Sequence, residues 1–394
     1  MTISARTHPV RDALKQTQGF TLIAVFIQKT VPILGSNQKT RFAALAENMA
    51  YSANPTMHPS QPTIAIHLVR ALLQGSGSDA AQQLRSVQQA GIAPALLQQA
   101  GARVTTGQFA TLYRLLAQLH DDETPGMFAQ PLRGGTLKFL CLSLIGSPSL
   151  LTAMNRFCQY FRLQLDDLHF ALRPHGPLVQ IALLPRTEAV RQNLFAQKMM
   201  LKLVHGIASW LAGQKIPLAR VDFKHARPEQ GAESVFIYPG PQRFGQPEMA
   251  LWFELSRLQM PVRQHAASIP GFLARAPGDW MFVSFAEHII SHRVREYLQA
   301  RLEQPSSLPE VAAALHFSER TLARKLQAEG SSFQGIKDAL RRDVAIQQLT
   351  QGRLPVAAIG QLVGFGDPTS FQRAFREWTG SAPGAYRRRP GIRG

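Results

Sequence analysis

Twice near its C-terminus the chain sets apolar residues at positions i, i+3, i+4 and i+7, breaks at a short turn, and resumes with an apolar pair four residues apart. The first copy has Leu308, Val311, Ala312 and Leu315, a turn at His316, Phe317 and Ser318, then Leu322 with Leu326. The second has Val356, Ile359, Gly360 and Val363, a turn over Gly364 to Asp367, then Phe371 with Phe375. Each set of four is one face of an amphipathic helix, and each pair is the inner edge of a second helix packed beneath it. Ala312 and Gly360 hold the same place, where a small residue lets two helices cross closely. Phe317 and Phe365 would plug the turns. The helix starts are also signed. Ser307 with Glu310 reads as a capping box, Ser318 as an N-cap, and Asp367-Pro368 as an N-cap followed by an N1 proline. The pattern predicts two helix-turn-helix units, about 307–329 and 355–378.

Two ordinary helical hairpins would share the periodicity, but not an aligned core, caps and turn in both copies. The layout is that of a reader of the DNA major groove. Arg320, Thr321, Arg324 and Lys325 lie off the apolar stripe of the first second-helix; Thr369, Gln372, Arg373 and Arg376 do so on the second. An arginine fork matches the O6 and N7 acceptors of guanine, and glutamine suits adenine by the same bidentate geometry. Arg324 and Arg373 are matched between the copies. Between the units, Gly335 to Thr350 reads as one helix ended by Gly352, about 24 Å long at 1.5 Å per residue. Such a spacer could hold two reading heads near successive major grooves, with Arg341 and Arg342 as candidates for phosphate contact. Arg387-Arg388-Arg389 is a charge run that could graze phosphates or simply be solvated.

The stretch Gly364-Phe-Gly-Asp-Pro-Thr-Ser-Phe-Gln-Arg-Ala-Phe375, with Trp378-Thr-Gly380, Pro383 and Tyr386-Arg387, resembles the signature of AraC-type transcriptional regulators. The resemblance covers roughly residues 284–390. It implies two DNA-binding motifs joined by a long helix, with Arg320, Ala323 and Arg324 of the first head facing bases, and Pro368, Thr369, Gln372 and Arg373 of the second. Ala323 departs from the polar residue often found there, so the first head would read fewer bases; Ala382 replaces a frequent serine. Residues 62 to about 260 more loosely resemble the non-barrel effector-sensing domain of a subgroup of these regulators. The cues are Gly134-Gly135, Gly146-Ser-Pro-Ser149 and Arg243-Phe244-Gly245 before Ala250-Leu-Trp-Phe253. The resemblance implies a small-molecule effector and a homodimer; RNA polymerase is a further expected partner, and no cofactor is expected, since no axial ligand for a haem stands out.

The hydrophobic pattern of this first part mixes both periods. Helices are expected at Thr63–Leu73, onward to residue 119, at 149–163 and near Val190–Leu211. Strands are expected at Leu168–Leu172, Leu178–Leu184, Ala219–Lys224 and Ala250–Leu255. The predicted fold is an α+β sensor domain (62–258), a Pro/Gly/Ala-rich linker (259–281) and an all-α domain (282–394) with two helix-turn-helix motifs joined by a long helix, opened by a helix over Phe282–Arg301. Residues 1–61 read as a poorly ordered extension, with the folded protein beginning near Met57. Its apolar run Phe20–Leu34 is too short and interrupted to span a bilayer, and no cleavage site follows it.

Composition changes this picture little. The formal charge of +18 suits a polyanionic partner, yet the excess is spread along the chain, so the motif rather than the charge carries the DNA reading. Cys141 and Cys158 have no ligand spacing and read as buried thiols of a cytoplasmic protein. His288 and His292, with Glu287 and Glu296, have metal-ligand spacing without a third ligand. Gly35 to Thr40 lacks the second glycine of a phosphate loop. Asp121-Asp122-Glu123 reads as loop charge, and His205 and Trp210 as core or pocket lining. The rival function, a DNA-targeted alkyl-transfer enzyme sharing the motif, would need a reactive thiolate.

Overall fold

In the computed structural model the described residues are 62–227, 238, 240–282, 290–302, 304 and 306–387. The readings placed on the first 61 residues, on Glu287 and His288, and on Arg388 and Arg389 lie outside them. The described residues belong to one compact unit, Pro59–Gly394.

Its first part is built on a five-stranded sheet. Strands β3 (Leu168–His175) and β4 (Leu178–Pro185) form an antiparallel hairpin turning at Gly176, whose φ of 60° suits glycine. The strand order is β3-β4-β7-β5-β6, with β5 at Arg220–Asp222, β6 at Gln242–Arg243 and β7 at Met249–Glu254. Among the described strands only β5 and β6 run parallel. Ile181 pairs with Leu251 and Val179 with Phe253, so their side chains share one face and are buried. Helices α5 (Leu150–Gln164) and α7 (Leu194–Ala212) cover that face. The opposite face carries a small cluster of Ala182, Ala250 and Trp252.

Around this layer lie α1 (Ile66–Gly75), α2 (Ala80–Gln89), α3 (Thr106–His120) and α4 (Thr136–Ile145), with a short helix α6 (Glu188–Gln192) before α7. Three sequence expectations need correction. The first helix starts at Ile66, not Thr63, because Ile64–Ala65 (β1) pairs with Arg103–Val104 (β2) in a two-stranded ribbon. The helix expected over Val190–Leu211 is two, since the Asn193 side chain accepts from Ala196 N and restarts the chain as an N-cap. Gln259 to Asp279, read as a linker, is folded. After α8 (Leu255–Leu258) it carries α9 (Ile269–Arg275) and leads into α10 (Gly278–Met281), which bury Phe272, Trp280 and Met281. Gly206 makes this possible: a Cβ there would stand 2.4 Å from the Trp280 carbonyl oxygen, so α10 crosses α7 only at a glycine.

The C-terminal part is all helical: α11 (Ile290–Ala300), α12 (Leu308–Ala314), α13 (Glu319–Ala328), α14 (Phe333–Gln351), α15 (Val356–Leu362) and α16 (Pro368–Thr379). The spacer α14 is longer than expected, 19 residues or about 28 Å. Ser332 caps its start by accepting from Gly335 N, and Gly352, at φ 69°, ends it.

Candidate DNA interface and ligand cleft

The two heads are built as their sequence pattern predicts. Leu322 and Leu326 of α13 are buried with Val311 and Ala312 of α12; Phe371 and Phe375 of α16 are buried with Ile359 and Val363. Ser307 and Glu310 form the reciprocal capping box. Ser318 Oγ accepts from Thr321 N, and Asp367 Oδ1 accepts from both Thr369 N and Ser370 N. Those bonds from Ser370 and Thr369 hold the Asp367 carboxyl below its ordinary pKa. Phe365 packs on Phe371 and Trp378, so the second turn is plugged by an aromatic cluster.

With the apolar edges turned inward, the sequence-selected side chains face solvent. Arg320, Arg324, Lys325, Pro368, Thr369, Gln372, Arg373 and Arg376 are exposed, as is Ala323. Thr321 is half-buried, and its hydroxyl accepts from Ser318 Oγ. The two spacer arginines differ from this set. Arg341 is half-buried over the Phe365 ring, 5.3 Å from its centroid, and Arg342 pairs with Asp343 at 3.5 Å. Arg387 donates to the Leu354 carbonyl.

A cleft of about 1840 Å3 runs between the sensor part and the helical part. Phe195, Met199, Lys202, Phe223, Tyr238 and Phe244 line it from the sensor, and His292, Ile336, Arg342 and Asp343 from the other side. It is larger than a single small-molecule site, and its mostly apolar lining with a few polar groups suits an organic ligand occupying part of it. Burial pulls the Lys202 ammonium down to about 7. Trp210 lines the cleft and stacks on Phe272. His205 is buried in the core, with Nε2 2.8 Å from the Ile216 carbonyl.

At one end of this cleft lies a cluster that sequence reading missed. Asp343 of α14 is 2% exposed, and it accepts from Thr63 Oγ1 at 2.6 Å and from Arg295 Nη2 at 2.9 Å. Arg103 of β2 donates from Nε to Thr63 Oγ1 and from Nη2 to the Thr63 carbonyl, both at 2.6 Å. Burial alone would raise the Asp343 pKa, but Arg342, Arg295 and Arg103 with the Thr63 hydroxyl hold it below the usual value. A signal was present: Asp343 falls two turns past Ile336 and one past Leu340, on the apolar stripe of its helix, where a carboxylate needs a partner. Nothing local identified Thr63 and Arg103 as those partners.

Other candidates resolve structurally. Asp122 accepts from the Thr124, Gly126 and Leu132 amides, and Glu123 from those of Gly135 and Leu137. His292 Nδ1 lies 3.5 Å from Glu296. Among the described residues no group of three His, Cys, Asp or Glu could hold a metal ion, and no helix is long and apolar enough to cross a membrane. Burial pushes both thiols, Cys141 and Cys158, up to about 12, so they stay protonated at neutral pH.

Two family models match parts of the chain. Residues 77–262 match the arabinose-binding N-terminal domain of the AraC transcription regulator, and residues 311–389 match a helix-turn-helix domain. The Ornithine utilization regulator of Pseudomonas aeruginosa is 30% identical over 199 residues, 50% of this chain and 58% of that protein. The regulator VqsM of the same organism is 34% identical over 98 residues, 25% of this chain and 30% of its own length. The chain thus spans little more than half of the first relative. The crystal structure of the transcriptional regulator CdpR from Pseudomonas aeruginosa, 20% identical, covers 63% of this chain and 81% of its own with a TM-score of 0.26, too low to bear on how the parts are arranged. A part matched to the N-terminal domain of the AraC transcription regulator, followed by a part matched to a helix-turn-helix domain, gives this chain a domain organisation similar to that of AraC-type regulators.

Proposed function

We propose that the protein is a sequence-specific DNA-binding transcriptional regulator that reads two neighbouring major-groove segments with α13 and α16 and is controlled by a small molecule held in the cleft. One observation carries this reading. Two capped helices stand on buried cores of matching design, and each presents an exposed arginine, Arg324 or Arg373, at the same place. The N-terminal halves of such helices enter the groove, and their outward side chains meet base edges. A ligand in the cleft shifts the population of DNA-competent protein by as much as its affinity differs between the two states. Of the relatives named above, one is an ornithine utilization regulator and the other a helix-turn-helix transcriptional regulator. The alkyl-transfer alternative loses support because both thiols are buried and protonated. In keeping with family organisation, we place the protein in the cytoplasm and assign it promoter DNA, RNA polymerase and a second copy of itself as partners. Selection of duplexes from a random pool by the purified full chain tests the central claim. Enrichment of a two-part motif is expected, with affinity falling steeply as salt rises; no enrichment over random competitor would overturn it.

A further inference from the structure

Along the face that α7 turns to the cleft, Phe195, Met199 and Lys202 fall at i, i+4 and i+7. Beside them stands an aromatic wall built where β5 and β6 end. The Phe223 and Phe244 rings stack with centroids 5.2 Å apart, and Tyr238 meets Phe223 edge-on at 5.4 Å. Hydrogen bonds fix the wall: Phe223 N donates to the Arg243 carbonyl at 2.8 Å, and the Tyr238 hydroxyl donates to the Lys198 carbonyl of α7. Lys202 is 1% exposed, with Nζ 5.5 Å from the Tyr238 ring centroid. Among the described residues that α7 and this wall give to the cleft there is no carboxylate and no side-chain amide, while Lys198, Lys202 and His225 are basic. One end of the cleft is thus a recess with stacked rings on one side and an ammonium among them.

We infer that this recess binds an organic monocarboxylate, its apolar body against Phe223, Tyr238 and Phe244 and its carboxylate on the Lys202 ammonium. This rests on the reading of the cleft as a ligand site proposed above. Stacked rings suit apolar carbon, whereas a polyol would ask for the carboxylate and amide partners that this wall lacks. An ammonium carries three donors, so Lys202 can bond a ligand oxygen in addition to its contacts within the protein. A phosphate dianion would bring more charge into an apolar recess than one buried ammonium balances; a carboxylate matches it one for one. Burial pulls the Lys202 ammonium down to about 7, and an anion beside it reverses that shift by favouring the charged form.

The test is calorimetric titration of the full-length chain with paired ligands: phenylalkanoates and straight-chain alkanoates of graded length, each against its primary amide. Raised salt screens the attraction of the chain's overall positive charge for any anion. The best acid is expected to bind about tenfold more tightly than its amide, the gain of a charge-assisted hydrogen bond. Lys202→Met should bring that ratio to about one while leaving amide affinity in place, and Lys202→Arg should restore it in part. Replacing a merely structural lysine would lower melting temperature and both affinities alike and leave the ratio unchanged. If Lys202→Met does not fold, Phe244→Leu decides: acid and amide losing affinity together supports the site, and unchanged affinities overturn it. Equal wild-type affinity for acid and amide overturns this inference and leaves a neutral ligand in the cleft. An acid preference that survives Lys202→Met, or no binding by any member of the set, also overturns it. Acid binding as expected with DNA affinity unchanged supports this site and overturns the control by ligand proposed above.

Discussion

The two helix-turn-helix units close their first helices in the same way and differ in how their residues permit it. Both turns close through the same bonds: Phe317 N donates to the Ala312 carbonyl at 2.8 Å, and Phe365 N to the Gly360 carbonyl at 2.9 Å. Both require a left-handed residue one step earlier. The second head supplies Gly364, φ 81°; the first uses His316, φ 61°. Beneath the turns, Phe371 stands so close to Gly360 that a Cβ there would lie 3.1 Å from its Cβ and Cγ, whereas Leu322 in the first head leaves room for the Ala312 methyl. The second turn is also one residue longer before its cap, Asp367 in place of Ser318. The motif is thus defined by backbone bonding and a close helix crossing. An aliphatic core with a strained histidine and an aromatic core with glycines are two ways to meet it.

The largest expected contrast lies in the cores. Phe375→Ala should cost about 4 kcal/mol and Leu326→Ala about 3 kcal/mol in urea denaturation, because the ring leaves the bigger cavity. Equal costs would mean that the Phe365, Phe371 and Tyr386 rings close around the gap. Next come the matched arginines. Arg373→Ala should weaken specific DNA binding by about 1–3 kcal/mol and relax preference at one base. Arg324→Ala should do the same at the other half-site, and neither should shift the melting temperature. Gel shifts with half-site variants would show whether the heads contribute alike; unchanged affinity and base preference would remove that arginine from the reading role. The turns should differ in sign. Gly364→Ala places a side chain in the left-handed region and should destabilise by about 1–2 kcal/mol, while His316→Gly relieves the same strain and should stabilise, offset in part by glycine's extra unfolded-state freedom. The smallest contrast is in acid. Asp367 has a depressed pKa, so its contribution is full above the unfolded carboxylate value and lost as pH falls through the lower folded one. Ser318 does not titrate. Amide exchange near pH 3 should therefore open the start of α16 before that of α13.

Much of this was legible in the sequence. The heads, their caps, the end of the spacer and the main strands of the sheet follow from residues at most one helical turn or one strand apart, and neighbouring side chains decide them. The exposed faces of α13 and α16 followed at once, because positions off an apolar stripe have nowhere to go but solvent. Arg342 shows where that inference stops. As a charge on a spacer helix it suggested a phosphate contact, yet the fold pairs it with Asp343 beside the sensor.

The chain by itself determined that there are two helix-turn-helix units and which side chains they expose, since periodicity and capping are local properties of the backbone. Only the tertiary structure decided that the supposed linker is folded, that strand β7 lies between β4 and β5, and that Thr63 meets Asp343 across 280 positions. The reason is physical. A buried carboxylate states in its own helix that it needs a partner, but distant segments can supply one equally well, and the choice is made only when the cores around them close.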